Sequence, residues 1–168
     1  MGIEIERKFL VTSDAWRGQV TRELRMVQGY LVGAALVTSG ASKSSVRVRI
    51  GGDKAWLNIK SSALGVERQE FEYEIPRTDA DRMIETLCGG VVDKVRHYVP
   101  VEGHEFEVDE FLGANAGLFV AELELDRVDA AYPKPSWLGA EVTHARYYNL
   151  NLIDHPYAQW TAAEKAGH

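Results

Sequence analysis

The stretch Glu4-Ile5-Glu6-Arg7-Lys8 constrains the fold of this chain more than any other. Glu4, Glu6 and Lys8 share one parity, with Ile3, Ile5 and Phe9 on the other. In a β-strand successive side chains point to opposite faces, so one face carries two carboxylates and an ammonium while the other is apolar. The polar face of an ordinary half-buried strand is mixed and meets solvent. Here it reads carboxylate, carboxylate, cation, and that signature returns along the chain.

Arg47 and Arg49 alternate with Val46, Val48 and Ile50, and Lys60 ends a run in which Leu57 and Ile59 take the other parity. Arg68, Glu70, Glu72 and Glu74 alternate with Phe71, Tyr73 and Ile75. Lys94, Arg96 and Tyr98 oppose Val95 and Val99; Glu105, Glu107 and Asp109 oppose Phe106 and Val108; Glu122 and Glu124 oppose Leu123 and Leu125. The period predicts eight strands, near 2–11, 26–34, 45–51, 54–61, 67–76, 92–101, 104–112 and 118–127. Gly51-Gly52-Asp53 and Glu102-Gly103 read as tight hairpin turns, in which glycine and aspartate supply positive φ.

A helix capped by Thr78 or Asp79 is expected to run to Leu87, with Met83, Ile84 and Leu87 as its apolar stripe and Gly89-Gly90 as its stop. Shorter helices are expected near Ser13-Asp14, near Ser136-Trp137 and over 144–153. The segment 33–45, rich in Gly, Ala and Ser, reads as a mobile loop. Residues 1–155 form one domain, and 156–168 a tail without a site signal.

Two architectures accommodate such strands. A sandwich would bury the apolar faces between two sheets and leave the charges in solvent. A closed barrel would turn the apolar faces outward under helices and the charges into a lumen, and about eight strands suffice to enclose a small ligand. A charged lumen must neutralise itself, because unpaired buried charge is costly. Both signs are present: Lys8, Arg47, Arg49, Lys60, Arg68, Lys94 and Arg96 against Glu4, Glu6, Glu70, Glu72, Glu107, Asp109, Glu122 and Glu124. Guanidinium forks and ammonium groups suit phosphate oxygens. Carboxylates suit a hard divalent cation that shares phosphate and water ligands. A metal-bound oligophosphate answers both demands.

Composition narrows the alternatives. At 168 residues the chain is long enough for one domain with a real core, and its net charge of −6 does not favour nucleic acid or an acidic membrane surface. Cys88 is the only cysteine, which rules out an internal disulfide and suits a reducing cytosol. No signal peptide and no apolar run of about 18 residues is visible, so a cytoplasmic protein without a membrane span is expected. His97, His104, His144, His155 and His168 show no zinc spacing, and His97 and His104 read as strand-surface residues. Cys88 reads as a core residue. No nucleophile elbow or phosphate-binding glycine loop occurs. Trp16, Trp56, Trp137 and Trp160 are too scattered for a base-stacking platform and read as core or lid packing, Trp137 alternatively as part of a tunnel-mouth plug.

At these residues the sequence resembles the CYTH superfamily, the triphosphate tunnel metalloenzymes. Glu4-Ile5-Glu6-Arg7-Lys8 matches its ExExK signature, and Phe9-Leu10-Val11 continues as in bacterial members. Gln28-Gly29-Tyr30-Leu31, Arg47-Val48-Arg49, Asn58-Ile59-Lys60-Ser61 and Arg68-Gln69-Glu70-Phe71-Glu72 look like family segments in family order. So do Lys94-Val95-Arg96, Phe106-Glu107-Val108-Asp109, Glu122-Leu123-Glu124 and Trp137-Leu138-Gly139-Ala140-Glu141-Val142-Thr143. The resemblance spans roughly residues 2–152. It implies an α+β, mainly β fold: a closed eight-stranded antiparallel tunnel with a charged lumen and flanking helices.

By resemblance, Glu4, Glu6, Glu122 and Glu124 would hold Mg²⁺ or Mn²⁺, with Asp109 or Glu107 as further candidates. Lys8, Arg47, Arg49, Lys60, Lys94 and Arg96 would grip a phosphate chain, with Lys8, Arg49 and Lys94 central to catalysis. Arg68, Glu70, Glu72 and Glu107 would complete the lining. The expected activity is metal-dependent hydrolysis of inorganic triphosphate by a monomer or homodimer. Two alternatives stand beside it: class IV adenylate cyclase activity on ATP, for which no adenine pocket is evident, and a non-catalytic triphosphate- or polyphosphate-binding module. Two departures from the family pattern bear on gating and substrate choice. The loop between Tyr30 and Val46 is long, and Val142-Thr143-His144-Ala145-Arg146-Tyr147-Tyr148-Asn149 is one residue short and lacks an acid before its Arg-Tyr pair.

Overall fold

The computed structural model describes residues 2–62 and 66–168. Its strands are β1 (Gly2–Val11), β2 (Arg22–Tyr30), β3 (Ser44–Gly51), β4 (Lys54–Ser61), β5 (Glu67–Ile75), β6 (Val91–Val101), β7 (His104–Phe111), β8 (Phe119–Glu124) and β9 (Leu138–Glu141). They form one sheet in the order β5-β4-β3-β2-β6-β7-β8-β1-β9, and β1 also pairs with β5. That pairing, antiparallel between Gly2–Ile5 and Glu67–Glu70, closes eight strands into a barrel and excludes the sandwich. β9 is an additional strand laid on the far end of β1.

Registers place the charges on the inner face of the cylinder. Glu6 stands opposite Glu124 and Lys8 opposite Glu122, Glu107 opposite Glu122, Arg96 opposite Asp109, Lys60 opposite Glu70 and Glu4 opposite Arg68. The other parity builds the outer core. Ile5, Phe9, Val99, Phe106, Val108 and Leu123 pack under Trp16 and Trp137. Val48, Ile50 and Ala55 pack under Ala80, Met83 and Ile84 of the helix Arg77–Leu87. The hydrophobic core thus lies outside the barrel, which frees the inside for ions.

At one end the inward parity itself turns apolar. Leu10, Val92, Phe111 and Val120 continue the rows of Lys8, Lys94, Asp109 and Glu122, and Val142, Tyr147, Leu152 and Trp160 pack on them. Trp160 meets the rings of Tyr147 and Tyr157 edge-on, each with centroids 5.2 Å apart. The C-terminal segment therefore plugs this end of the tunnel.

Several local expectations differ from the structure. The second strand runs from Arg22 to Tyr30, not from 26 to 34, and the segment expected as a mobile loop contains a short helix, α1 (Ala34–Thr38). Where a helix is expected near Ser136-Trp137 the strand β9 follows, lying so close to β1 that a Cβ on Gly139 would come within 2.9 Å of the Leu10 carbonyl oxygen. The expected helix over 144–153 is split into a 3-10 turn at Ala145–Tyr147 and a short α-helix at Asn151–Asp154. The long helix starts after Pro76, with neither Thr78 nor Asp79 as cap. Its terminal Leu87 is 62% exposed, outside the expected stripe. Glu102 (φ 48°) and Gly103 (φ 82°) supply the paired positive φ of a tight hairpin, whereas at Gly52-Asp53 only Gly52 (φ 57°) does. His97 is 6% exposed, not a surface residue: Trp16 packs against it in a tilted arrangement, ring centroids 4.9 Å apart. Trp137 packs in the outer core against Phe106, not at a tunnel mouth. Cys88 is half-buried. Among the described residues no helix is long and apolar enough to cross a membrane.

Candidate active site

The barrel encloses a chamber of about 320 Å³. β1 and β8 contribute Glu4, Glu6, Lys8, Glu122 and Glu124; β4 and β5 contribute Asn58, Lys60, Arg68, Glu70 and Glu72. β3 contributes Arg47 and Arg49, and β6 and β7 contribute Arg96, Tyr98 and Glu107. Met26 and Tyr30 of β2, Val37 and Thr38 of α1, Ser45, Ser61, Ala145 and Tyr148 to Asn151 complete the lining. Strand alternation thus gathers thirteen of the fifteen residues expected at the site.

The two others, Lys94 and Asp109, lie below the chamber floor, 1% and 0% exposed. Both Asp109 oxygens are occupied: Lys94 Nζ lies at 2.5 Å from one, and Arg96 reaches both at 2.7 and 2.8 Å. Burial pushes the Lys94 ammonium down to about 8. Sequence parity cannot tell such a buried support from a lining residue. It also passed over Asn58, whose amide bonds Glu70 and Glu72, and Tyr148, whose ring faces Lys8 and Arg68.

Ion pairs are dense on one side of the chamber. Lys8 Nζ sits 2.5 Å from Glu122 and 2.8 Å from Glu6. Lys60 Nζ sits 2.8 Å from Glu4 and 3.7 Å from Glu70. Arg68 lies 3.6 Å from Glu4 and 4.0 Å from Glu6. Arg96 reaches Glu122 at 2.6 Å and also bonds Glu107. Against the burial penalty, Lys8 and Arg96 hold the Glu122 carboxyl well below the ordinary carboxylate range.

The opposite side is under-paired. Arg49 has one partner, Glu72, at 2.9 Å. Arg47 has no carboxylate within 4.0 Å among the described residues. The buried Nε groups of Arg47 and Arg49 have no hydrogen-bond partner, nor have the side-chain oxygens of Gln28 and Asn58. Burial and the charge of Arg47 pull the Arg49 pKa down, and the same two causes lower Lys60. Two neighbouring guanidinium groups, one held by Tyr30 and the other by Glu72, each with a buried Nε–H left without a partner among the described residues, form a site for an anion.

Carboxylates repel one another in the same way. Burial and then Glu6 raise Glu4, and burial, Glu6 and Glu70 raise Glu124. Burial pushes Glu107 up to about 7. Six cationic and seven carboxylate side chains line the chamber, so a polyanion enters with charge balance only if cations accompany it. Among the described residues no three His, Cys, Asp or Glu side chains converge into a ready metal shell. The oxygen donors still fit Mg²⁺ or Mn²⁺, because such ions use one or two carboxylates and complete their shells with phosphate and water.

A model of the CYTH domain matches residues 2–157. The chain belongs to the CYTH family. An inorganic triphosphatase of Acetivibrio thermocellus is 43% identical over 159 residues, covering 94% of this chain and 97% of the relative. An inorganic triphosphatase of Nitrosomonas europaea is 32% identical over 153 residues, 89% of this chain and 95% of the relative. The crystal structure of an inorganic triphosphatase superposes with a TM-score of 0.64 at 32% identity, covering 91% of this chain and 95% of its own. The closed barrel therefore agrees with the tunnel that the family resemblance implies, one of the two architectures strand parity allows.

Proposed function

We propose that this CYTH chain hydrolyses inorganic triphosphate to pyrophosphate and orthophosphate with a divalent cation, Mg²⁺ or Mn²⁺. The carrying observation is the polarity of the chamber: Arg47 and Arg49 carry unmet Nε–H donors on one wall, and on the other burial and then the charge of Glu6 raise both Glu4 and Glu124. Two relatives covered along nearly their full length are inorganic triphosphatases, which supports the same reading.

In this reaction a water oxygen bonds to a terminal phosphorus, the bridging P–O bond breaks, and pyrophosphate leaves. Phosphoryl transfer of this kind needs positioning and charge stabilisation more than covalent help from the protein. Arg47 and Arg49 would take the non-bridging oxygens with guanidinium forks, and Lys8 and Lys60 would exchange carboxylate partners for phosphate. Arg96 would hold its place through Asp109, itself fixed by Lys94, so Lys94 and Asp109 act as supports. Glu4, Glu6, Glu122 and Glu124 would hold the cation, whose chemistry is charge neutralisation and activation of water. Glu70, Glu72 and Arg68 would orient the lining, with Asn58 between the two glutamates. The single half-buried cysteine suits a reducing cytoplasm.

Phosphate release from triphosphate, longer polyphosphate, ATP and thiamine triphosphate, each with Mg²⁺, Mn²⁺ or EDTA, tests the assignment. Fastest release from inorganic triphosphate, abolished by EDTA, is expected. Cyclic AMP from ATP, or binding without turnover, would reject it.

A further inference from the structure

Among the described residues the barrel wall is interrupted between β5 and β9, and we infer that this interruption is a lateral port through which orthophosphate leaves the chamber. The inference rests on the triphosphatase reading above. One edge of β1 is shared by two strands. β5 pairs with Gly2–Ile5, and the Glu6 N–H still donates to the Val66 carbonyl at 3.0 Å. β9 takes over at Phe9 and Val11, while the Val142 N–H donates to the Lys8 carbonyl at 2.9 Å. The ladder changes partner across Glu6–Lys8, where two of the chamber's own charged side chains arise.

A second cavity of about 60 Å³ occupies this break. Glu6, Lys8, Arg68 and Tyr148 line both it and the chamber. Arg7, Glu141 and Thr143 line the small cavity and not the chamber, and Thr143 is exposed. The cavity thus runs from the chamber wall to the surface. Tyr148 stands as the partition, its ring centroid 5.1 Å from the Arg68 guanidinium carbon and 5.9 Å from Lys8 Nζ. These are cation–π contacts that a side-chain rotation gives up.

Charge and shape both favour a small anion. Arg7, Lys8 and Arg68 outnumber Glu6 and Glu141 around the passage. At a liquid share of about 30 Å³ per water, the resting cavity has room for roughly two waters. Orthophosphate therefore passes only when Tyr148 turns aside. The need for a port follows from the plug: with one end filled by Leu10, Phe111, Val120 and Trp160, substrate and both products otherwise share a single mouth.

Thr143→Trp fills the outer rim without touching the chamber. Rapid-quench and phosphate-sensor kinetics with Mg²⁺ and inorganic triphosphate separate cleavage from release. Single-turnover cleavage is expected to stay within about twofold of wild type, while kcat falls about fivefold or more behind a burst of enzyme-held phosphate. Unchanged kcat with no burst would overturn the port. Absence of cleavage by the wild type would remove function and port together; cleavage with unaffected Thr143→Trp turnover would remove the port alone. If Thr143→Trp fails to fold, Thr143→Cys in a Cys88→Ser background gives the same readouts before and after capping with a bulky maleimide.

Discussion

Lys60 Nζ lies 2.8 Å from both carboxylate oxygens of Glu4, joining β4 to β1 past the intervening β5. Burial is the leading cause that lowers Lys60 and raises Glu4; Lys60 is the main group holding Glu4 charged, while Glu6 and then Glu4 hold Lys60 charged. Removing one partner of a buried pair strands the other charge and costs about 3 kcal/mol. Lys60→Met is therefore expected to destabilise the fold by that order, measured by urea denaturation.

Arg47 is the opposite case. It is buried, yet no carboxylate reaches it among the described residues. Tyr30, not a carboxylate, holds its charge against burial, and replacing such a poorly paired buried charge with an apolar side chain of similar length is often neutral or stabilising. Arg47→Met is expected to keep or raise the Tm while kcat drops about 10²–10³-fold, by analogy with the loss of an oxyanion donor. Equal losses of stability and activity would reduce Arg47 to a structural residue.

The same self-neutralisation separates metal from folding. Lys8, Lys60, Arg68 and Arg96 pair Glu4, Glu6 and Glu122 within the protein itself. A protein whose fold needs its metal loses stability to chelators. Here EDTA is expected to abolish turnover and leave the Tm within about 2 °C, because no linked binding energy is lost from the folded state without ligand. Differential scanning fluorimetry beside the phosphate assay checks both halves.

Glu107 gives a pH signature. Its pKa rises from an ordinary 4.5 to about 7, chiefly through burial. A carboxyl with a raised folded-state pKa stabilises the protein fully below its unfolded value, and that contribution disappears as pH climbs through 7. Glu107→Gln should remove this decline between about pH 5 and 8. The side chain is 32% exposed, so the difference is set at about 1–2 kcal/mol, less than the full shift implies. Parallel stability curves for wild type and variant would refute it.

The plug predicts a large packing effect from a residue without a part in the chemistry. Trp160 is 5% exposed and contacts Tyr147 and Tyr157 edge-on. Trp160→Ala should cost about 3–5 kcal/mol, the usual price of a large aromatic cavity. Equilibrium denaturation measures it directly.

How much of this was legible in the sequence depended on which physical constraint was local. Parity along a strand is local, so the sequence puts Glu4, Glu6, Lys8, Arg47, Arg49, Glu122 and Glu124 on strand faces that all line the chamber. Depth along the tunnel is not local. Nothing in the neighbours of Lys94 and Asp109 distinguishes a residue under the floor from one above it, because that is fixed by where Arg96 reaches. β9 escaped notice because four residues including Gly139 carry little strand signal, and its place is set by fit against Leu10. His97 looked exposed until Trp16, from a 3-10 turn eighty residues earlier in broad terms, was seen to cover it. The acid missing before Arg146-Tyr147 comes from a distant segment: Glu164 approaches Arg146 at 3.7 Å.

The ring of strands is completed by only the first few residues of β1 meeting β5, and Glu4 lies within that short zipper, opposite Arg68. Enclosure and ligand set are thus made by a single local event. Whenever this strand end breathes, the cylinder becomes an open sheet and the carboxylate wall loses its leading member at the same moment. Water entry and loss of catalytic geometry are then inseparable.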